Sequence, residues 1–391
     1  KMSSVDATVV IDIGNSETRV KTYFGKDASG NYRNRLSILP NRYSAILDGI
    51  KYNRVMQNSE YSEKNSRVFK KGSDFYCTGT MCDIEFQSST FRPTAKEKKY
   101  ESLSTEVTLR NVFIQGFEDV SAMSKIPVED LEVNWSMVML LPPQDLDVGA
   151  KKLAEMAKSI KSIESIMPKM ERKINIKKIN VLPEGFCALM GVIFKAYGVP
   201  RQEYSFLLKD GVYTLIVDIG AGTTDLNIAV GGKVMSNSRS SETIGGNNVQ
   251  QNLTQKLRLR GVKVRPAKIQ KACETGILEI GSDTVPVVDE LNSSKREIAT
   301  QIVNYIKEYL ELGVAEIQDI SYLLVCGGGA ENSSNPEVVP ISKYMIDFLN
   351  TQSSHLKLVE LPEVLVNGKR QKISPRLLNI IGAGIIAEGA M

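Results

Sequence analysis

Two segments of the chain read almost alike, one near the N-terminus and one past the middle. Residues 9–20 read VVIDIGNSETRV, and residues 215–226 read LIVDIGAGTTDL. In each, a continuous apolar run meets Asp-x-Gly, a small polar turn follows, and apolar alternation then resumes. This pattern predicts a buried strand, a tight turn and a returning strand. Because the pattern occurs twice, we expect two similar α/β halves.

The composition narrows the chemistry that such halves can perform. With 391 residues and 42% hydrophobic content, the chain can bury more than one core. The net charge of +4 neither demands nor excludes nucleic acid, because binding needs charge that is clustered on one face. The chain has a single histidine, His355, so catalysis must use carboxylates, backbone amides and a metal rather than a Ser-His or multi-His arrangement.

The cysteines and the apolar runs indicate a cytoplasmic protein. The five cysteines are scattered and odd in number, show no zinc spacing, and are typical of buried free thiols in a reducing compartment. No apolar run approaches the ~20 residues that cross a bilayer. The N-terminus carries no signal peptide. We therefore expect a cytoplasmic location without membrane contact.

Apolar spacing predicts further elements along the chain. The predicted helices cover residues 148–167, 184–197, 293–312 and 376–388. The predicted strands cover residues 131–141, 174–182 and 321–326. The stretch from about 32 to 120 is rich in Asn, Ser, Lys and Tyr and has weak periodicity. We interpret it as a small subdomain inserted into the first half.

Both repeated turns carry groups that bind phosphate. Nucleotide phosphates need several backbone N–H donors at close range, and glycine allows that approach because it has no Cβ. Serine and threonine hydroxyls add further donors. Each turn also follows an aspartate, Asp12 or Asp218, and a carboxylate beside phosphates needs a cation between them, which suggests Mg²⁺ held largely through its waters. A lone Asp-x-Gly is usually an ordinary hairpin turn, but two matched copies with a third glycine loop favour phosphate binding.

Three other features bear on the same chemistry. Arg19, on the returning strand, could reach the phosphates as a fixed positive charge, or it could be a solvated strand arginine. Glu184 follows Pro183 at a strand-to-helix junction, where a carboxylate can polarise a water for attack on a γ-phosphate or simply complement the helix dipole. The run Gly327-Gly328-Gly329 follows a buried strand and could lie flat against an adenine ring or ribose, although a turn explains it equally well.

Two basic stretches, Lys256 to Lys271 and Lys169 to Lys178, raise the question of nucleic acid. The first has no interleaved aromatic residues on which single strands could stack. We interpret both as solvated or subunit-facing surfaces, so direct nucleic-acid binding is not expected.

Five motifs, in their order along the chain, resemble those of the actin, 70-kDa chaperone and sugar kinase superfamily. The motifs are the first phosphate loop at 12–19, a connecting helix at 182–191, the second phosphate loop at 218–225, an adenosine motif at 325–330 and a second connecting helix at 378–387. Within that superfamily the chain looks most like the ParM-like bacterial actins that segregate plasmids. That likeness rests on its length and on LLPP at 140–143, VLPE at 181–184 and GGGAE at 327–331.

The resemblance implies an α/β fold of two ribonuclease H-like domains, the actin-like ATPase fold, with an inserted smaller subdomain in each half. Domain I would cover residues 1–182, with its insertion at about 32–120. Domain II would cover residues 183–375, with its insertion at about 232–290, and a C-terminal helix over 376–391 would return to domain I. ATP or ADP with Mg²⁺ would bind in the cleft that such a fold implies.

The resemblance also implies site residues. Asp12 and Asp218 would hold the hydrated metal, and Glu184, with Asp218, would form the catalytic pair that positions the attacking water. The expected phosphate contacts are Gly14, Asn15, Ser16, Thr18, Arg19, Gly220, Ala221, Gly222, Thr223 and Thr224. The expected ribose and adenosine contacts are Gly246, Asn247, Glu274, Gly327, Gly328, Gly329 and Ala330.

The function that this resemblance implies is an ATP-hydrolysing filament protein whose main partner is itself. It would segregate plasmid or other DNA in a bacterial cytoplasm through a DNA-bound adaptor protein. The alternatives are a chaperone-like ATPase, which would carry a substrate-binding domain after the last motif, a small-molecule kinase, which needs an aspartate over a substrate hydroxyl, and a cell-shape actin. The sequence leaves ATP against GTP open, although the adenosine-type motif favours ATP.

Overall fold

The computed structural model describes residues 3–47, 49–57, 66–86, 89–91, 93–94, 97–264, 266–351, 355–366 and 369–391. The chain divides into two compact units. Unit 1 contains residues 1–183 and 383–391, and unit 2 contains residues 184–382. Each unit is built around a β-sheet of its own.

Unit 1 contains ten strands and four helices among its described residues. Its strands are β1 (Ser3–Ile13), β2 (Glu17–Lys26), β3 (Tyr32–Pro40), β4 (Tyr43–Ile46), β5 (Arg67–Lys71), β6 (Asp74–Thr78), β7 (Leu131–Leu141), β8 (Ser162–Met167), β9 (Met170–Lys173) and β10 (Asn175–Pro183). Its helices are α1 (Gly49–Gln57), α2 (Thr80–Glu85), α3 (Leu103–Ser124) and α4 (Leu146–Ser159), and short 3-10 turns cover Val128–Asp130 and Pro143–Asp145.

The main sheet of unit 1 has the strand order β10-β7-β1-β2-β3. β1, β2 and β3 form an antiparallel meander, whereas β1, β7 and β10 run parallel. β1 and β7 lie in the middle of the sheet, and each ends in a continuous buried run because central strands are covered on both faces. Helix α3 packs against this sheet, where the ring of Phe117 meets Trp135 edge to face with centroids 5.4 Å apart.

A second, smaller sheet in unit 1 has the order β4-β6-β5-β8-β9 and is antiparallel throughout. Of the range 32–120 predicted as a subdomain, β4, β5 and β6 belong to this small sheet, and the subdomain itself stays a prediction. β3 belongs to the main sheet and α3 packs on it, while β8 and β9 reach the small sheet from farther along the chain. β3 is an edge strand, and most of its residues are at least partly exposed. Its sequence therefore shows only weak periodicity and does not predict a strand of the main sheet.

Unit 2 begins at the end of β10. Its strands are β11 (Tyr213–Ile219), β12 (Thr224–Val230), β13 (Lys233–Val234), β14 (Ser240–Glu242), β15 (Ile277–Ile280), β16 (Asp283–Pro286), β17 (Ile320–Cys326), β18 (Lys357–Leu358), β19 (Glu363–Val366) and β20 (Lys369–Lys372). Its helices are α5 (Phe186–Ile193), α6 (Gly246–Leu259), α7 (Pro266–Thr275), α8 (Val288–Tyr309), α9 (Ile341–Leu349) and α10 (Leu378–Ala390), of which residues from Ala383 onward belong to unit 1. Shorter helical turns cover Ala196–Gly198, Gln202–Leu208, Leu310–Val314, Gly328–Ala330 and Pro375–Leu377.

The main sheet of unit 2 repeats the plan of unit 1. Its order is β13-β12-β11-β17-β18, with β14 also pairing with β12. β11, β12 and β13 are antiparallel neighbours, and β11, β17 and β18 run parallel. The duplicated α/β architecture that the repeated sequence predicts is therefore confirmed.

Three predicted helices have different bounds in the structure. The helix predicted over 148–167 ends at Ser159, and residues 162–167 form β8, whose alternating burial has the period of a strand. The helix predicted from 184 begins only at Phe186, because Gly185 has a φ of 72° that no helical residue adopts. The helix predicted from 293 begins five residues earlier, at Val288.

Candidate functional site

The two repeated hairpins have the same register and the same turn. On β1 and β2, Asp12 lies opposite Arg19, and on β11 and β12, Asp218 lies opposite Asp225. Each turn closes with a hydrogen bond from a glycine N–H to a carbonyl three residues later. These bonds run from Gly14 to Glu17 at 2.9 Å and from Gly220 to Thr223 at 2.8 Å. The sequence repeat therefore encodes a repeated backbone turn, each with an aspartate at the end of its first strand.

The first turn is held in place by an asparagine that the sequence did not single out. The Asn41 side chain donates through Nδ2 to the carbonyl of Gly14 at 2.5 Å, and its backbone N–H donates to Ser16 at 3.0 Å. Its Oδ1 accepts from the Thr108 hydroxyl at 2.6 Å. Asn41 is buried, so these bonds fix the loop over 14–16 from behind. Because Asn41 lies 27 residues beyond Gly14, no local motif reveals this role.

The charged groups of the first hairpin pair with each other. Arg19 Nη1 lies 2.9 Å from Asp12 Oδ2, and its Nη2 lies 2.7 Å from Glu17 Oε1, with Asp12 and Arg19 both buried. Arg19 is thus not a solvated strand arginine, and its contact with phosphate stays a prediction. Among the described residues, the fully buried Thr18 hydroxyl has no hydrogen-bond partner. Because this hydroxyl is fully buried, the phosphate contact of Thr18 stays a prediction.

Three glycine-containing loops converge in unit 2. The N–H of Gly246 donates to the Gly220 carbonyl at 2.9 Å, and the N–H of Asn247 donates to the Ala221 carbonyl at 2.7 Å. A Cβ on Gly329 would lie 2.7 Å from the Gly220 carbonyl oxygen and 3.0 Å from the Gly246 nitrogen. These approaches leave no room for a side chain, so the three loops need glycine to come this close. The predicted residues of 220–224, 246–247 and 327–330 are therefore brought together.

A cluster of buried carboxylates borders these loops. Glu184, Asp218 and Asp225 are all less than a tenth exposed. The thiol of Cys326, at the end of β17, is affected by all three carboxylates. Burial raises its pKa well above the usual value, and the charges of these carboxylates raise it further. The thiol also donates a hydrogen bond to Asp218. Buried carboxylates this close together need cations or donors nearby.

The asparagine Asn379 connects two members of this cluster. Its Nδ2 donates to Asp218 Oδ2 at 2.6 Å, and its Oδ1 accepts the N–H of Gly185 at 3.0 Å. Gly185 directly follows Glu184 and directly precedes α5. The prediction that Glu184 stands at a strand-to-helix junction is correct, with Gly185 as the added bend. Asn379 was missed, and its one signal is a polar residue at the start of a helix that is apolar over most of its length.

The adenosine side of the predicted site is assembled by backbone contacts. The carbonyl of Glu274, at the end of α7, accepts from the Ser334 N–H at 2.8 Å and from the Ser333 hydroxyl at 2.8 Å. These serines follow the loop that begins at Gly327, so α7 and the predicted adenosine motif are joined. The side chain of Glu274 is exposed, and Gln270 donates to it at 3.4 Å. Its contact with ribose stays a prediction.

A buried lysine lies beside this junction and was also missed. Lys295 of α8 is 5% exposed, and burial lowers the pKa of its ammonium. Two neighbours raise the pKa of Lys295, Cys273 of α7 and Glu331 after the glycine loop. The Glu331 carboxylate itself accepts a hydrogen bond from Ser374. Burial likewise raises the pKa of Cys273 to about 11, so this thiol stays protonated.

The metal prediction has a chemical basis but no preformed cage. Across the part of the chain that the structure describes, no three His, Cys, Asp or Glu side chains are arranged to hold a metal ion directly. Asp12 and Asp218 are each carboxylates, which suit Mg²⁺ held through its waters, and the Mg²⁺ prediction stays a proposal.

The remaining surface features carry charge pairs rather than an obvious second site. In the basic stretch 256–271, Lys256 pairs with Glu297 at 2.7 Å, and Arg260 and Lys271 also pair with glutamates. Arg265, which belongs to the same stretch, lies outside the described residues. Of the helices described, none has the length and apolar character needed to cross a bilayer.

Comparison with known proteins agrees with this geometry. The family model described as "Archaeal actin homologue MreB-like, C-terminal" matches residues 216–335. These residues include all three glycine-containing loops of unit 2, the first of which is the repeated turn after Asp218. A search by sequence among curated proteins gives no match.

Solved structures match nearly the whole chain. The actin-like protein Alp7A has a TM-score of 0.69 at 16% identity, covering 99% of this chain and 97% of its own. The archaeal actin homologue Ta0583, in a complex with ADP, has a TM-score of 0.61 at 15% identity, covering 98% and 99%. A 15-stranded ParM filament from Clostridium botulinum has a TM-score of 0.63 at 16% identity, covering 99% and 100%. At these identities the likeness establishes the fold alone, which is the actin-like fold of these proteins.

Proposed function

From its actin-like fold and its two phosphate turns, we propose that this chain is an ATP-hydrolysing protein that assembles into filaments. The observation that carries the nucleotide part is the convergence of three loops in unit 2, where Gly220, Gly246 and Gly329 approach within van der Waals distance. The N–H groups of Gly220 and Gly246 hold these loops together through bonds to the Thr223 and Gly220 carbonyls, and the absence of side chains would let a polyphosphate approach the remaining backbone closely.

The phosphates would be held by the two repeated turns. In unit 2 the donors would come from 221–223, because Gly220, Gly246 and Asn247 use their N–H groups to hold the loops together and the Thr224 hydroxyl donates to the Ile244 carbonyl. In unit 1 they would come from Asn15 and Ser16, whose loop is closed by the Gly14 N–H and fixed by Asn41. The adenosine would lie along Gly327–Ala330 and near Glu274. ADP, which the archaeal homologue Ta0583 binds in its solved complex, supports a nucleotide ligand for this chain.

Mg²⁺ would be held through waters by Asp12 and Asp218. When bound, the ion neutralises charge on the phosphates and lets these carboxylates lie close to them. In unit 2 the buried Asp225 and Glu184 add further negative charge around Asp218. The chain's own part is to keep these carboxylates desolvated and fixed, which strengthens their interaction with a cation.

Hydrolysis would depend on Glu184. Glu184 is buried two residues before α5, and its charge, like those of Asp218 and Asp225, acts on the Cys326 thiol and raises the pKa of that thiol. Phosphoryl transfer needs little covalent chemistry from the protein, because catalysis comes mainly from positioning and charge stabilisation. Glu184 would orient the attacking water and accept its proton. Asp218 would complete the catalytic pair on the metal side.

Assembly with further copies of the chain is the second part of the proposal. It is supported by the match to a ParM filament over 99% of this chain. The same likeness makes plasmid or DNA segregation in a bacterial cytoplasm the proposed role, with a DNA-bound adaptor protein rather than DNA itself as the second partner. The pairing of the basic stretch with glutamates supports the absence of a direct DNA contact.

A non-polymerising ATPase, such as a chaperone-like ATPase or a small-molecule kinase, is the alternative that the same fold allows. Light scattering after addition of MgATP, followed by negative-stain imaging, separates the two. The proposal expects a nucleotide-dependent rise in scattering and regular filaments, with MgGTP run in parallel. Monomers that persist at high protein concentration with either nucleotide would favour the non-polymerising ATPase.

A further inference from the structure

Asn379 occupies an unusual position for a polar side chain. It lies in the first turn of α10, a helix that is apolar over most of its length, and it is 6% exposed. A buried amide needs partners for both its oxygen and its nitrogen, because an unmade hydrogen bond costs free energy. Asn379 has both partners. They are the carboxylate of Asp218 and the backbone N–H of Gly185, the residue after Glu184.

One partner is the carboxylate that follows β11. The Asn379 Nδ2 donates to Asp218 Oδ2 at 2.6 Å, which is a charge-assisted bond and therefore stronger than a neutral one. Asp218 Oδ1 lies against Gly327, in space that a Cβ at that position would occupy, so the carboxylate depends on glycine there. The bond from Asn379 therefore fixes the orientation of Asp218.

The other partner is the peptide that joins Glu184 to Gly185. The Asn379 Oδ1 accepts the Gly185 N–H at 3.0 Å, and that N–H belongs to the peptide plane attached to the Glu184 Cα. Anchoring this plane restricts the backbone rotation that would swing the Glu184 side chain. Gly185 has a φ of 72°, and a Cβ at its position would lie 3.0 Å from Asn227 Nδ2, so this peptide needs glycine to take up its position.

The two bonds come from the two ends of one rigid amide group. A planar amide holds its oxygen and nitrogen at a fixed separation, so the Glu184 peptide and the Asp218 carboxylate are held at a fixed separation too. Two independent partners, such as a water and a serine, would satisfy the same groups without coupling them. The coupling is therefore a specific property of asparagine at this position.

We propose that Asn379 is a positioning residue that sets the geometry of Glu184 relative to Asp218 for hydrolysis, without itself touching the nucleotide. This inference rests on the proposed function, in which Glu184 orients the attacking water. Misplacement of a catalytic group by about 1 Å can slow a reaction by on the order of 10²-fold. Loss of the amide is therefore expected to act mainly on turnover.

The test is a double-variant cycle measured by steady-state ATP hydrolysis. Asn379→Ala is expected to lower kcat by about tenfold or more while changing KM less than kcat. If Asn379 acts through Glu184, the Glu184→Ala, Asn379→Ala double variant will turn over no more slowly than Glu184→Ala alone. Losses that multiply in the double variant, or a kcat for Asn379→Ala equal to wild type, would overturn the inference.

Asn292 provides a matched control within unit 2. It also joins two segments through its amide, donating to the Glu337 carbonyl at 3.0 Å and accepting from the Val339 N–H at 2.8 Å. Asn292→Ala should lower the melting temperature, as Asn379→Ala should, but it should leave kcat unchanged. Equal kcat losses in both variants would show a general loss of structure and would contradict the positioning role.

Two further outcomes keep the inference separate from the proposed function. If the wild type hydrolyses ATP but Glu184→Ala is unchanged, the role proposed for Glu184 fails, whatever Asn379 does. If Glu184→Ala is slow and Asn379→Ala is fast, only the inference about Asn379 fails. Should Asn379→Ala not fold, Asn379→Ser replaces it in the same cycle with the same expected non-additivity.

Discussion

Asp218 lies directly opposite Asp225 across the antiparallel pair β11–β12, and both carboxylates are buried. The equivalent register position of unit 1 holds an ion pair, Asp12 with Arg19. The two halves thus share a backbone turn but differ in charge. Unit 1 neutralises its aspartate internally, whereas unit 2 concentrates negative charge that a cation can neutralise.

This difference predicts the behaviour of Asp225→Asn. Like charges directly opposite each other on paired strands are destabilising. Without Mg²⁺ the variant should therefore unfold at a higher temperature than wild type. Its free energy of unfolding should be higher by roughly 1 kcal/mol or less. Because the substitution also removes attraction for a cation, the stabilisation by MgATP should shrink. Thermal unfolding with and without MgATP measures both effects, and a MgATP-induced shift as large as that of wild type would contradict the account.

Glu184→Ala should separate binding from hydrolysis. The carboxylate is proposed to orient the attacking water, so its loss should slow turnover by on the order of 10²-fold or more. ATP affinity should stay close to wild type, because the phosphate contacts are made by other groups. The exposed Glu203, also in unit 2, offers the control Glu203→Ala, which should hydrolyse ATP normally. Turnover by Glu184→Ala at the wild-type rate would remove the carboxylate from the mechanism.

Asp12→Asn should reduce the Mg²⁺ dependence of ATP binding. The proposed role of Asp12 is to hold the hydrated ion, and an amide oxygen is a weaker ligand for Mg²⁺ than a carboxylate. The variant also loses its ion pair with Arg19, so stability must be followed alongside. Titrations with ATP in Mg²⁺ and in EDTA measure the dependence, and Asp130→Asn, at an exposed site in unit 1, is the control. If wild type binds ATP equally with and without Mg²⁺, the metal site is refuted.

Lys295→Met should change how stability depends on pH. Burial lowers the pKa of Lys295 below 10.5, so the folded protein releases this proton at a lower pH than the unfolded chain does. Between the lowered pKa and 10.5 the unfolded state binds more protons, and wild-type stability gains from this group as the pH rises. At lower pH the buried ammonium costs stability that methionine does not.

Denaturant unfolding across this range provides the measurement. The advantage of Lys295→Met over wild type should be largest near neutral pH and should shrink as the pH approaches 10.5. Lys307 lies on the same helix and is less buried, so Lys307→Met should show no such trend. A constant difference between Lys295→Met and wild type at every pH would show that the buried charge carries no cost.

The sequence predicts the strands and turns of the candidate site better than the hydrogen bonds that join them. The repeated Asp-Ile-Gly pattern predicts both hairpins, because their buried strands and glycine turns are local features. The helix after Glu184 was placed two residues early, since nothing in the sequence shows that Gly185 takes a φ of 72°. The positive φ occurs beside a tertiary contact, the hydrogen bond from the Gly185 N–H to Asn379, which the sequence does not show.

The residues that hold the site together could not be predicted in the same way. Asn379 lies 161 residues from Asp218 and 194 from Gly185, so no spacing rule connects them. Lys295 lies on a helix face that otherwise reads as apolar core. Such residues are recognised only once the fold brings distant segments into contact, because their function depends on partners rather than on neighbours in the chain.

The central claim is that the glycine loops of unit 2 bind a nucleotide, and calorimetric titration with MgATP tests it most directly. Gly329→Ala places a methyl group 2.7 Å from the Gly220 carbonyl oxygen, whereas a Cβ on Gly389 meets nothing within 4 Å. The account predicts saturable binding to wild type and to Gly389→Ala, and an affinity for Gly329→Ala that is about tenfold weaker or worse, which corresponds to about 1.4 kcal/mol. No binding to wild type, or equal affinity in all three proteins, would contradict it.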